Sequence, residues 1–129
     1  MSTTPEVIRI LSADDHPSLR EGVAMLIGTQ RDMVLVAEAT NGQEAVEQFR
    51  THRPDITLMD LQMPEMNGID AVIAIRGEFP KARIIVLTTY AADALCQRAM
   101  QAGAHAYILK GDVRKALLDM IRAVHAGKG

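Results

Sequence analysis

Five short apolar runs, each followed by a stretch with helical spacing, set the pattern of this chain. Val7-Ile8-Arg9-Ile10-Leu11 ends in Ser12-Ala13-Asp14-Asp15-His16-Pro17, which predicts a strand over about 7–13 with two acids at its carboxyl end. Pro17 suits the first turn of a helix, where its missing N–H costs nothing. Leu19, Val23, Leu26 and Ile27 carry that helix to about Gln30. Residues 34–39 read as strand two. Asn41-Gly42 turns the chain, and Asn41 is a candidate cap for a helix with Ala45, Val46 and Phe49 on its apolar face. Arg53-Pro54 ends it near His52.

Strand three is the short run Ile56 to Met59, which stops on Asp60. The loop that follows holds Pro64 and Asn67-Gly68. Ile69, Val72, Ile73 and Ile75 then mark helix three, closed by Gly77 and Pro80. Ile84 to Leu87 is the purest strand and runs into Thr88-Thr89-Tyr90. An alanine-rich helix with Leu95, Ala99 and Ala102 on one face stops at Gly103. Ala106 to Leu109 is strand five, ending in Lys110. Asp112 is a candidate cap for a last helix with Val113, Leu117, Ile121 and Val124 on one face.

Five βα units whose central strands are apolar along most of their length need cover on both faces. The pattern predicts an α/β fold: a doubly wound, flavodoxin-like parallel sheet of order 2-1-3-4-5, with helices on both sides. No linker or repeat interrupts the 129 residues, so 1–129 reads as a single domain.

Composition narrows the function classes. Apolar residues make up 48 % and aromatics 3 %, so the chain has the material for a core, and that core is aliphatic. A net charge of −2 without a basic block removes the electrostatic footprint of a nucleic-acid binder. The single cysteine, Cys96, excludes an internal disulfide and reads as a small apolar residue on a helix. No apolar run is long enough to span a bilayer, and Met1 to Glu6 has no signal-peptide pattern, so the expected location is cytoplasmic.

The chemistry gathers at one edge. All carboxyl ends of a parallel sheet emerge together, which would bring Asp14 and Asp15, Asp60, Thr88 or Thr89, and Lys110 into one neighbourhood. Three close carboxylates repel unless a cation intervenes. An all-oxygen set suits Mg²⁺, which typically takes one or two carboxylates and phosphate oxygens. An ammonium, a hydroxyl and a cation would together stabilise a phosphoryl group, and a carboxylate such as Asp60 is an established nucleophile for it. Each residue alone has an ordinary reading: Asp-Asp before Pro as a helix cap, Asp60 as the start of an Asx turn, Lys110 as a solvated charge. Their convergence is the specific signal. His16 is either a base beside the acidic pair or a partly exposed loop histidine. His52, His105 and His125 show no ligand spacing. Tyr107 falls on the opposite face of strand five from Ile108 and Lys110, where a half-buried edge aromatic is ordinary.

These residues carry a family resemblance over about 7 to 126. Asp14-Asp15-His16-Pro17, the segment Leu58 to Pro64 with Asn67-Gly68, Val86-Leu87-Thr88, and Gly103-Ala104 followed by Tyr107-Ile108-Leu109-Lys110 together resemble the receiver domain of bacterial two-component response regulators. Asp-Asp-His-Pro and the closing Ala-Gly-Lys-Gly look most like the NarL/FixJ subfamily. The resemblance implies that Asp60 accepts phosphate from a sensor histidine kinase or a small donor such as acetyl phosphate. It implies that Asp15 and Asp60 ligate Mg²⁺, with Asp14 acting through water and the Gln62 backbone carbonyl as a further ligand. Thr88 and Lys110 would hold the phosphoryl group, Thr88 and Tyr107 would form the switch, and Gln62 and Tyr90 would tune the phosphate lifetime.

The family also implies a phosphorylation-dependent homodimer. It implies a longer regulator of which this receiver is the N-terminal part, with DNA bound through a C-terminal domain; a parent reading frame that stops at Gly129 would contradict that. One departure is Gly111 after Lys110, where many receivers carry a proline with a cis bond. Two other classes compete with this non-enzymatic switch. An aspartate-nucleophile phosphatase of the haloacid-dehalogenase type needs an acid two residues after Asp60, where Gln62 stands. A phosphate-independent interaction domain would not need the acidic set.

Overall fold

The computed structural model describes residues 7–63, 65–89 and 94–127. Five strands, β1 (Ile8–Ala13), β2 (Met33–Ala39), β3 (Ile56–Asp60), β4 (Ile84–Thr88) and β5 (Ala106–Leu109), alternate with five helices, α1 (Pro17–Gly28), α2 (Gly42–His52), α3 (Gly68–Glu78), α4 (Ala94–Gln101) and α5 (Val113–His125). All strand pairs are parallel, in the order β2-β1-β3-β4-β5. The architecture is the one the apolar pattern predicts.

The two faces of the sheet build two cores. Ile10, Ile56, Leu58, Ile85 and Leu87 pack with Val23 and Ile27 of α1 and Leu117, Ile121 and Val124 of α5. Leu11, Met59, Ile84 and Val86 face the other way, onto Val46 and Phe49 of α2, Ile69, Val72 and Ile75 of α3, and Ala99 of α4. β3 and β4 are buried at every position, as strands covered on both faces must be. Cys96 is buried in the second core, in keeping with its reading as a small apolar residue.

Local chemistry sets the helix ends. The Asn41 side chain accepts from the Glu44 N–H, and the Glu44 carboxylate accepts from the Thr40 N–H and hydroxyl, so both sides of the turn are closed. Arg53 adopts φ 47° before Pro54 and ends α2. Gly103, at φ 117°, ends α4, and the Ala104 N–H returns to the Ala99 carbonyl.

Three boundaries differ from expectation. α1 stops at Gly28, because Thr29 and Gln30 turn with N–H bonds to Leu26 and Ile27. α3 runs through Gly77 to Glu78, since an exposed helical glycine weakens a helix without ending it. Asp112 makes no side-chain capping bond; a 3₁₀ turn over Lys110–Asp112 leads into α5 instead.

Candidate functional site

Register fixes the site. Ala13 lies opposite Met59, Asp60 opposite Leu87, and Thr88 opposite Leu109. Asp14, Asp60, Thr88 and Lys110 therefore leave the sheet at nearly one level, on four adjacent strands. Asp14 and Asp60 are each 1 % exposed, and Thr88 is 4 % exposed. Burial at this level would be costly for unpaired charges. Asp60 has two donors: Lys110 Nζ lies 3.0 Å from its Oδ1, and the Gln62 N–H reaches the same oxygen at 3.1 Å. Burial pushes the Asp60 carboxyl above its usual range, Lys110 and the Gln62 N–H pull it back, and the neighbouring Asp14 charge pushes it up again.

The loops behind Asp60 are packed backbone on backbone. A side chain at Gly68 would overlap the Asp60 carbonyl and come within 2.7 Å of Leu61 Cα. A side chain at Gly42 would overlap the Met66 carbonyl, to which the Gly42 N–H donates at 2.7 Å. The β2–α2 turn thus braces the β3–α3 loop, which in turn supports Asp60. Asn67 caps α3 by accepting from the Asp70 N–H. The sequence marks these glycines only as turn residues, since the crowding exists only once the two loops meet.

His16 holds a more central position than a loop histidine would. Its ring is mostly exposed, yet Nδ1 lies 3.0 Å from Asp14 Oδ1, 3.2 Å from Asp15 Oδ1 and 3.4 Å from Asp60 Oδ2. Its own N–H also donates to Asp14 Oδ1 at 2.8 Å. The hydrogen bond with Asp14 raises the His16 pKa above its ordinary value, partly opposed by desolvation and by Lys110. The only sequence signal for this placement is adjacency to Asp14-Asp15.

Three buried carboxylate oxygens, Asp14 Oδ2, Asp15 Oδ1 and Asp60 Oδ2, have no hydrogen-bond donor among the described residues. Asp14, Asp15, His16 and Asp60 each offer a ligand atom within 4.8 Å of the others. Hard, donor-free oxygens gathered this closely fit Mg²⁺. Of the two strand-four threonines, Thr88 is buried and Thr89 exposed. Both line a narrow cleft with Asp60, Gln62, Leu95 and Lys110. Gln62 is exposed beside the site. Tyr107 is 41 % exposed on edge strand β5, away from the acidic cluster, and borders an open groove with Met100, Ala116 and Met120. Pro64 and Tyr90, expected to shape the loop and to tune lifetime, lie outside the described residues.

The chain is similar to known proteins in sequence and in fold. Residues 10–122 match the family model of the response regulator receiver domain. Over 121 residues the chain is 35 % identical to the response regulator protein VraR of Staphylococcus aureus, covering 94 % of this chain and 58 % of that protein. The chain therefore spans little more than half the length of that relative. A LuxR-family two-component response regulator from Aurantimonas superposes with a TM-score of 0.89 at 37 % identity, covering 95 % of this chain and 88 % of that one. The signal receiver domain of the NarL regulator of Mycobacterium tuberculosis superposes at 0.81 with 33 % identity, covering 92 % and 98 %.

Proposed function

Because this chain belongs to the response regulator receiver-domain family, in its NarL/FixJ-like branch, we propose that it is a phosphorylation-controlled switch whose phosphoacceptor is Asp60. Receivers bind Mg²⁺ through an acidic pocket, and a histidine kinase is the expected phosphodonor for a two-component regulator. The observation that carries the assignment is the state of the Asp60 carboxylate. One oxygen is held by Lys110 and the Gln62 N–H, while the other is buried, without a hydrogen-bond donor among the described residues, and turned toward the acidic cluster.

In this reading a carboxylate oxygen of Asp60 attacks the phosphorus of a phosphohistidine or acetyl phosphate. A new O–P bond forms, the bond to the leaving group breaks, and the leaving group keeps the electron pair. Asp15 and Asp60, the Gln62 carbonyl, and Asp14 through water would hold Mg²⁺. When bound, the ion supplies positive charge to the oxygens of the transferring group. Lys110 Nζ, fixed by its contact with Asp60, stands ready to pair with those oxygens. The Thr88 hydroxyl lines the same cleft and would follow the phosphoryl group by hydrogen bonding. Gln62, exposed at the mouth, and Tyr90 would govern the approach of hydrolytic water, and so the lifetime of the acyl phosphate.

Thr88 and Tyr107 would carry the change to the α4, β5 and α5 face, as a bias on two pre-existing conformations. Tyr107 has room to move, since its edge strand opens onto a groove. The output would be a phosphorylation-dependent homodimer and DNA binding through a C-terminal domain of a longer regulator, the receiver itself touching no nucleic acid.

Phosphatase turnover is disfavoured by Gln62, which stands where that chemistry needs a second acid. The test is intact-mass analysis after treatment with acetyl phosphate and Mg²⁺. One phosphoryl group is expected on wild type and none on Asp60→Ala. An unmodified wild type, or an equally modified variant, would reject the proposal.

A further inference from the structure

We infer that the groove between α1 and the start of α5 binds a small amphipathic monocarboxylate, an acyl chain with one anionic head. The inference is independent of phosphoryl transfer at Asp60.

Shape gives the apolar half. The groove encloses about 680 Å³, inside the roughly 300–1,000 Å³ range of ligand clefts. Leu19 and Leu26 of α1 and Val113 of α5 give it apolar walls, and Met25, 74 % exposed, stands at its rim. It follows α1 from Ser18 to Thr29, a length of roughly 16 Å from the helical rise. That length suits an extended acyl chain better than a compact polar molecule.

Two glycines on the lining keep the groove wide. Gly22 lies inside α1, where glycine weakens a helix, and a side chain there would meet no atom within 4 Å. A side chain at Gly111 would likewise meet nothing. Neither glycine has a positive φ or a crowding neighbour, so what each contributes here is space.

Charge selects the head group. The chain is net negative, yet the described residues lining the groove include two cations, Lys110 and Arg114, and no acid. Lys110 Nζ is committed to Asp60 at 3.0 Å. Arg114 is exposed and has no ion-pair partner among the described residues. One free guanidinium matches one negative charge, and its planar fork fits a carboxylate. An uncharged or cationic amphiphile would gain nothing from it.

The experiment titrates decanoate, decanol and decyltrimethylammonium, each below its micelle-forming concentration, into the full 129-residue chain and into Arg114→Gln and Gly22→Leu. Binding is read by calorimetry and by amide chemical shifts, and circular dichroism melts establish folding. Wild type is expected to bind decanoate about tenfold more tightly than decanol, the scale of one charge-assisted contact, and the cation more weakly still. The shifts centre on Gly22, Gly111 and Val113. Arg114→Gln brings decanoate down to the level of decanol and leaves decanol unchanged. Gly22→Leu, whose side chain grows into open space, keeps the fold and loses both ligands. Equal affinity for the three amphiphiles, shifts centred elsewhere, no decanoate binding, or wild-type binding by either variant would overturn the inference. So would the same amides shifting as the chain alone is concentrated, which would give the groove to a second copy.

Discussion

The two edges of the sheet treat their charged groups in opposite ways. At the amino edge they close on one another. Arg122 binds Asp32 through two nitrogens and also reaches Gln30. Arg76 donates to the Pro80 and Ala82 carbonyls, Arg83 donates to the His125 carbonyl, and Asp55 accepts from the Arg9 N–H. Arg50 pairs with Glu78, and Arg53 covers the Phe79 ring at 4.1 Å. At the carboxyl edge, among the described residues, three acids share one lysine and one histidine, and three of their buried oxygens have no hydrogen-bond donor. The closed edge joins elements of the fold. The open edge does not, and this incompleteness sets the candidate site apart.

The largest effect should come from the backbone packing that supports the open edge. Gly68→Ala drives a methyl group into the Asp60 carbonyl, which cannot yield as a side chain tip could. A destabilisation of about 1–3 kcal/mol is expected, as for other overpacked sites, with loss of cation binding. Urea melts of wild type and variant, with and without Mg²⁺, check this. A variant that melts with wild type would show that the loop is not rigid.

Next comes the charge itself. Without divalent ions, Asp60→Asn should stabilise the fold, since it removes one of three crowded anions from a buried position; relief on the order of 1–3 kcal/mol is expected. Mg²⁺ should raise the wild-type Tm, by an amount equivalent to about 2.7 kcal/mol at a hundredfold excess over Kd. The same titration should barely move Asp60→Asn. Equal shifts in both proteins would place the ion elsewhere.

Much of this contrast was legible in the sequence, and the exceptions have a physical reason. Apolar runs gave the strands and their order, because strands buried on both faces leave a continuous signature. Asp14, Asp60, Thr88 and Lys110 were readable as neighbours because a parallel sheet brings its carboxyl ends to one edge. Contacts made only by folding were not readable. The meeting of Gly42 with Met66, the tie of Arg122 to Asp32 across 90 residues, and the turn of His16 over the acids depend on loop paths that no periodicity encodes. Asp112 shows the converse: a good capping residue is idle when a 3₁₀ turn occupies its place.

The closed edge yields the smallest effects, both in pH dependence. Arg122 holds the Asp32 carboxyl below its ordinary value. The pair's contribution is therefore fully present above the unfolded carboxylate value and lost as pH falls through the lowered folded one. Asp32→Asn should flatten the acid limb of a stability-versus-pH curve only slightly, because the pair is solvent-screened. Burial, Arg76 and Arg83 lower the His105 pKa. Its neutral form favours folding above the unfolded histidine value, and that benefit declines as pH drops below it; His105→Gln should remove this slope. A steep acid limb that survives both substitutions would assign it to the carboxyl edge.

In the proposed function the open edge receives a phosphoryl group on Asp60. The most direct measurement treats the chain with acetyl phosphate and Mg²⁺, reduces any acyl phosphate with borohydride, and locates the resulting homoserine by peptide mass spectrometry. Homoserine at position 60 alone, absent when Mg²⁺ is chelated, is the predicted result. Homoserine at 14 or 15, or a phosphate that resists reduction because it is an ester on Thr88, would contradict it.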